Sequence, residues 1–146
     1  MSVDVEVETV IDQPLEKVAE YASDPANAPR WYRRIHSADW QTTPPVEVGS
    51  KITFRAKFLG RELVYTYAVT EFEPGKRLVM RTAEGPFPMT TTYTWQPAGR
   101  GATRMTLRSN GNPTGFSKLT VPFMARAMKR AMTQDLRSLK NHLERP

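Results

Sequence analysis

Residues 51–75 read KITFRAKFLGRELVYTYAVTEFEPG. Ile52, Phe54, Ala56 and Phe58 alternate with Thr53, Arg55 and Lys57, and after Gly60-Arg61 the apolar positions resume at Leu63, Tyr65, Tyr67 and Val69. A period of two turns one side of the chain to apolar surroundings and the other to water, the pattern of a half-buried strand. Gly60-Arg61 signals a tight turn and Glu73-Pro74-Gly75-Lys76 another.

The same grammar extends in both directions. RLVMRT follows at residues 77–82, then Gly85-Pro86, then a strand with Met89, Thr91, Tyr93 and Trp95 on one face and Thr90, Thr92 and Thr94 on the other. Pro97 to Gly101 turns the chain again, and TRMTLRS puts Met105 and Leu107 inward, Arg104 and Arg108 outward. Upstream, Ile35 to Thr43 reads as a strand ending at Pro44-Pro45. Six strands joined by short turns make an antiparallel meander. A seventh begins the chain: Val3, Val5 and Val7 alternate with Asp4, Glu6 and Glu8 as far as about Ile11. A bulge anywhere would shift the facing by one residue.

Helices flank this array. Pro14 suits a first turn, and Leu15, Val18, Ala19 and Ala22 give a short helix one apolar side. Asp24-Pro25 starts a second short helix or turn, expected to end near Pro29. Pro113 and Gly115 punctuate the approach to the last segment, which Pro122 starts or kinks. Phe123, Met124, Ala127, Met128, Ala131, Met132, Leu136, Leu139 and Leu143 there keep three-four spacing. About 24 residues at helical rise give a rod of roughly 35 Å, long enough to cross a sheet. The order predicts an α+β fold, a curved seven-stranded antiparallel sheet wrapped around a long C-terminal helix, with two short helices after the first strand.

The 146 residues suit one domain, residues 1–146, with a real core. With no cysteine, disulfides, thiolate metal sites and thiol nucleophiles are excluded. MSVDVEVETV is not a signal peptide, and no apolar run approaches the ~18 residues of a membrane span, so a soluble, cytoplasmic protein without stable membrane association is expected. The net charge is +6, and Phe116 to Arg145 carries seven basic residues against Asp135 and Glu144. That face reads first as solvated, and otherwise as a contact for an acidic partner, a carrier protein or an anionic membrane. No nucleic-acid module or base-stacking motif accompanies it.

A strongly curved sheet cannot touch a straight helix along its whole length. The gap between them would be lined by dry-face aromatics and helix methionines, the makings of a small-molecule site. The candidate lining is Trp31, Phe54, Phe58, Tyr65, Tyr67, Met80, Tyr93, Trp95, Met105, Phe123, Met124, Ala127 and Met128.

At this point the sequence resembles a family. Ile11-Asp12-Gln13-Pro14 with Val18, Ser23-Asp24-Pro25-Ala26-Asn27 with Trp31, Val46-Glu47-Val48-Gly49, and Val69-Thr70-Glu71-Phe72-Glu73-Pro74 with Arg77-Leu78 match the SRPBCC or START-like superfamily, in its polyketide cyclase/dehydrase-like branch. The resemblance spans the chain and implies the helix-grip fold. It also implies that Trp31 lies over one end of the cavity, with Arg30, Arg33 and Arg34 around the mouth. The superfamily's functions are diverse, so the fold does not select one.

For chemistry, His36 and a cavity tyrosine, Tyr65 or Tyr93, are the acid-base candidates. His142 falls near the last helix's end and reads as a surface residue. Glu71 shares parity with Tyr65 and Tyr67, though it falls at the strand's end. Two isolated histidines make no metal site, and no phosphate loop, dinucleotide fingerprint or G-x-S-x-G elbow is present, so no cofactor is expected. Three readings remain: a binder of a hydrophobic or aromatic small molecule; a polyketide cyclase or dehydratase acting by orientation plus one acid or base; and an interaction protein using the basic helix. A monomer or homodimer is expected.

Overall fold

The computed structural model describes residues 3–58, 60–85, 88–112 and 120–145. Its elements follow the expected order: β1 (Val3–Ile11), α1 (Leu15–Ser23), a 3-10 turn (Pro25–Asn27), α2 (Ala28–Trp31), β2 (Ile35–Trp40), β3 (Lys51–Phe58), β4 (Arg61–Glu73), β5 (Arg77–Glu84), β6 (Met89–Pro97), β7 (Thr103–Gly111) and α3 (Val121–Glu144). The expectations at Pro86, Pro113 and Gly115 lie outside the described residues.

The seven strands form one antiparallel sheet in the order β1-β7-β6-β5-β4-β3-β2. The chain meanders from β2 to β7, and β7 then pairs with the N-terminal strand, Val3 against Gly111 and Ile11 against Thr103. Alternation sets the faces: Val3, Val5, Val7 and Ile11 are buried, as are Met89, Thr91, Tyr93 and Trp95. The outward residues are acidic on β1 and threonines on β6, and Arg108 makes two bonds to the Asp4 carboxylate, at 2.8 and 2.7 Å.

Local chemistry explains the helix boundaries. The Asp24 carboxylate accepts the Ala26 N–H at 3.0 Å and starts the 3-10 turn. The second helical segment does not stop near Pro29. It runs on to Trp31, because Pro29 occupies the first turn of α2, where no N–H is needed. Strand β2 ends at Trp40, earlier than Thr43. In β4 the register shifts between Val69 and Glu71, so Phe72 takes the inward place that simple alternation gives Glu71. Glu71 is exposed, 3.7 Å from Arg77.

α3 buries Val121, Met124, Ala131, Met132, Asp135, Leu136, Leu139 and Leu143 against the sheet. Its C-terminal turns are fastened to β1 and the residues after it. Lys140 Nζ donates to the Val10 carbonyl at 2.7 Å, Glu144 accepts the Asp12 N–H at 2.7 Å, and Gln13 Nε2 donates to the Leu143 carbonyl at 2.9 Å. At this end of the sheet, where Ile11 pairs with Thr103 and Trp95 with Met105, the interior is filled.

Candidate functional site

At the other end it is not filled. The N-terminal half of α3 and the sheet leave a cavity of about 190 Å³ between them, with a predominantly apolar wall. β6 and β7 supply its floor through Met89, Thr91, Tyr93, Leu107 and Ser109, with Thr91 opposite Ser109 and Tyr93 opposite Leu107. The walls come from Phe54 and Ala56 of β3, Leu63, Tyr65 and Tyr67 of β4, and Met80 of β5. Met124, Met128, Ala131, Met132 and Asp135 of α3 form the roof, one helical stripe at spacings of three and four. Tyr32 and Arg34, between α2 and β2, and Ile35, the first residue of β2, close one side.

Tyr32, Tyr93 and Asp135 form one polar group on this wall, and Tyr65, Tyr67, Thr91 and Ser109 add hydroxyls elsewhere on it. The Tyr32 and Tyr93 hydroxyls lie 2.6 Å apart, in hydrogen-bond contact. Burial pushes both phenols well up, and the nearby Asp135 charge acts in the same direction. Burial raises Tyr67 to about 12, offset in part by the Thr91 hydroxyl. Tyr65 is raised by burial and by Tyr67. All four phenols therefore stay neutral at pH 7, and because one hydroxyl of the Tyr32–Tyr93 pair donates to the other, that pair has one hydrogen left to donate.

Asp135 is the unusual member. It is 4% exposed on an otherwise apolar stripe. Oδ1 accepts the Arg33 backbone N–H at 2.9 Å. Burial lifts its pKa to about 6, against the opposing pull of that N–H and of the Arg34 and Arg33 charges. A carboxyl in this range exchanges protons near neutral pH, which an ordinary exposed aspartate does not. It was missed in sequence because its charge excluded it from the apolar count. Its spacing was nevertheless diagnostic: positions 124, 128, 131 and 135 continue one stripe.

The structure brings Phe54, Tyr65, Tyr67, Met80, Tyr93, Met124 and Met128 of the expected lining together around the cavity. Others are placed elsewhere. Trp31, 1% exposed, packs one layer behind the wall, its ring 4.0 Å from Tyr32 and edge-on to Tyr93 at 5.9 Å, so Tyr32 takes the cavity-facing place. Trp95 and Met105 are core residues at the filled end. Ala127 sits half-buried on the shoulder of α3 and off the cavity wall. Phe123 is 70% exposed, because it lies about 100° around the helix from Met124 and away from the stripe. The Phe58 side chain lies outside what is described.

His36 does not face the cavity. Its side chain is 51% exposed and its Nε2 lies 2.7 Å from Glu62 Oε1 on the solvent side. His142 is exposed and meets the Tyr21 hydroxyl at 3.0 Å. Of the arginines expected at the mouth, Arg34 lines it, Arg33 contributes its backbone to Asp135, and Arg30 is exposed. Among the described residues, no group of three His, Asp or Glu side chains is placed to hold a metal ion.

An open-ended antiparallel sheet gripping one long helix, with an apolar cavity between them, defines a helix-grip protein. The family described as "Polyketide cyclase / dehydrase and lipid transport" matches residues 2–144, and the chain belongs to it. Solved structures carry the same fold. A protein from Thermus thermophilus is 20% identical, covers 94% of each chain and superposes with a TM-score of 0.83. A START superfamily protein from Mycobacterium smegmatis is 13% identical over 97% of each chain, TM-score 0.83. The Zhui aromatase/cyclase from Streptomyces sp. R1128 is 12% identical over 99% of this chain and 95% of that one, again at 0.83. Identities this low speak for the fold and not for a shared substrate. No curated protein matches the chain in sequence.

Proposed function

We propose that the protein binds a hydrophobic, aromatic small molecule in this cavity, with the molecule's hydroxyl or carbonyl group against Tyr32, Tyr93 and Asp135. The carrying observation is the cavity itself: a predominantly apolar concave space with a few polar groups on its wall, the pattern of a small-molecule site. Size narrows the class. An apolar cavity of roughly 150 Å³ takes benzene, so about 190 Å³ admits one or two rings. Larger ligands need Met124, Met128 and Met132 to move, which unbranched thioethers do readily.

The test is a thermal-shift screen with naphthols, quinones, flavonoid-like phenols, steroids and fatty acids. Ligand at 100 times its Kd adds about 2.7 kcal/mol of stability, a rise of several degrees in Tm. One- and two-ring phenols or quinones should give that rise, and Tyr93→Phe should weaken it. Filling the cavity with Ala131→Phe should abolish it in a folded protein. No shift from any hydrophobic class, or a shift indifferent to Ala131→Phe, overturns the reading.

A second reading is favoured by one observation, the near-neutral Asp135 among neutral phenols. In a cyclase or dehydratase the phenols would polarise a substrate carbonyl, and Asp135 would take the adjacent carbon-bound proton. His36 has no part in it. Turnover of a short β-ketoacyl thioester lost in Asp135→Asn, with binding retained, would support an enzyme; binding without turnover supports the binder.

A further inference from the structure

Phe123 serves neither the core nor the cavity. It shares its face of α3 with Arg126 and Arg130, one and two turns along, with Lys129 beside them. All three cations are exposed, and none joins an ion pair among the described residues. The strands behave differently: Arg104 pairs with Glu8 and Arg108 with Asp4. No acidic residue occurs anywhere from Gly85 to Gln134. The first acid of α3, Asp135, is buried on the opposite side of the helix. That opposite side, in the same turns, carries Met124 and Met128 of the cavity roof.

An aromatic ring left in water beside unneutralised cations fits a particular surface. Interfacial helices sink an apolar side chain a few ångströms below the headgroups while Lys and Arg meet the phosphates. A protein partner fits less well. Stable protein interfaces bury roughly 800 Å² per side around an apolar centre, whereas Phe123 is the one exposed large apolar side chain described on α3. A convex helix face offers no pocket for a partner's anchor, and a membrane requires none. No described helix is long and apolar enough to span a bilayer, so the contact is peripheral.

We propose that the N-terminal half of α3 docks reversibly on an anionic lipid surface, with Phe123 entering the interfacial layer and Arg126, Lys129 and Arg130 bound to lipid phosphates. Docking places the cavity roof next to the bilayer. The proposal is independent of what the cavity holds.

The experiment is co-sedimentation of the full chain with vesicles of pure phosphatidylcholine and of equal parts phosphatidylcholine and phosphatidylglycerol. Binding is expected to the anionic vesicles only, and to fall with added salt. Each cation near an anionic surface strengthens binding about fivefold, so Arg126→Glu with Arg130→Glu should weaken it at least ~25-fold. Phe123→Ser should weaken it roughly tenfold, and Phe123→Trp should show a blue-shifted emission on vesicles. The substituted positions are exposed, so the variants should keep the parent Tm. Tyr93→Phe should bind vesicles like the parent, which separates this surface from the cavity. No binding to anionic vesicles, or binding indifferent to the charge reversals, overturns the proposal. Equal binding to soluble polyglutamate that ignores Phe123→Ser also overturns it, in favour of an acidic macromolecule.

Discussion

Asp135 shows how one side chain ties the interior to pH. In the folded chain it titrates at about 6, against an ordinary value of 3.8. Between those two values the folded state holds a proton that the unfolded chain has released. Stability from this group is therefore lost as pH rises from about 4 to about 6, and the loss is complete at pH 7. Asparagine keeps an acceptor for the Arg33 N–H and never ionises. Asp135→Asn should gain about 2–3 kcal/mol on the parent between pH 4 and pH 7, measured by urea unfolding at each. An equal difference at both values would mean the carboxyl does not feel its burial. Legibility also turns on single residues. Tyr93 and Met128 were readable as cavity residues because parity and helical spacing are local. Phe123 was misplaced because it follows the same apolar spacing as Met124 yet lies one residue off the stripe. Asp135 was hidden by its type and revealed by its position.

Among the elements, β4 carries most of the shape. Its irregularities at Thr66–Tyr67 and Val69–Glu71 turn the strand and exchange the inward roles of Glu71 and Phe72. Alternation alone cannot show a bulge, since the extra residue leaves no compositional mark. A second device lies at the end of β5. A Cβ on Gly85 would sit 2.5 Å from Tyr65 Cδ1, so the absence of a side chain there leaves room for the ring. Gly85→Ala should cost about 1–3 kcal/mol in unfolding free energy, as overpacking does. It should also shift the near-ultraviolet circular dichroism as Tyr65 leaves the cavity wall. An unchanged spectrum and stability would show that the ring is free to move. In sequence Gly85 read as part of a turn signal. Its contact with a ring twenty positions earlier depends on the pairing of β4 with β5.

For the molecule as a whole, α3 divides the interior into a filled end and a hollow one. Leu139, fully buried, belongs to the filled end. Leu139→Ala should cost about 2–5 kcal/mol by chemical denaturation, while Phe123→Ser on the outer face should stay within about 0.5 kcal/mol. Comparable losses at the two sites would contradict the burial of one and the exposure of the other. The number of strands, the long helix and a gap between them were all legible, since each follows from periodicity and from the mismatch of a curved sheet with a straight rod. Where along the helix the gap falls was not. That is decided by pairings such as Trp95 with Met105, between residues equally apolar in sequence.

The clasp between the ends of the chain has a consequence for its birth on the ribosome. Asp12 and Glu144 are hydrogen-bonded across 132 positions, and β1 waits for β7, the last strand, before it can pair. A nascent chain therefore carries β1 unpaired until β7 has been made, and the concave apolar face stays uncovered until α3 emerges. Closing such distant contacts is slow. During that interval the half-built grip is a target for chaperones and a hazard for aggregation, and the cavity does not yet exist.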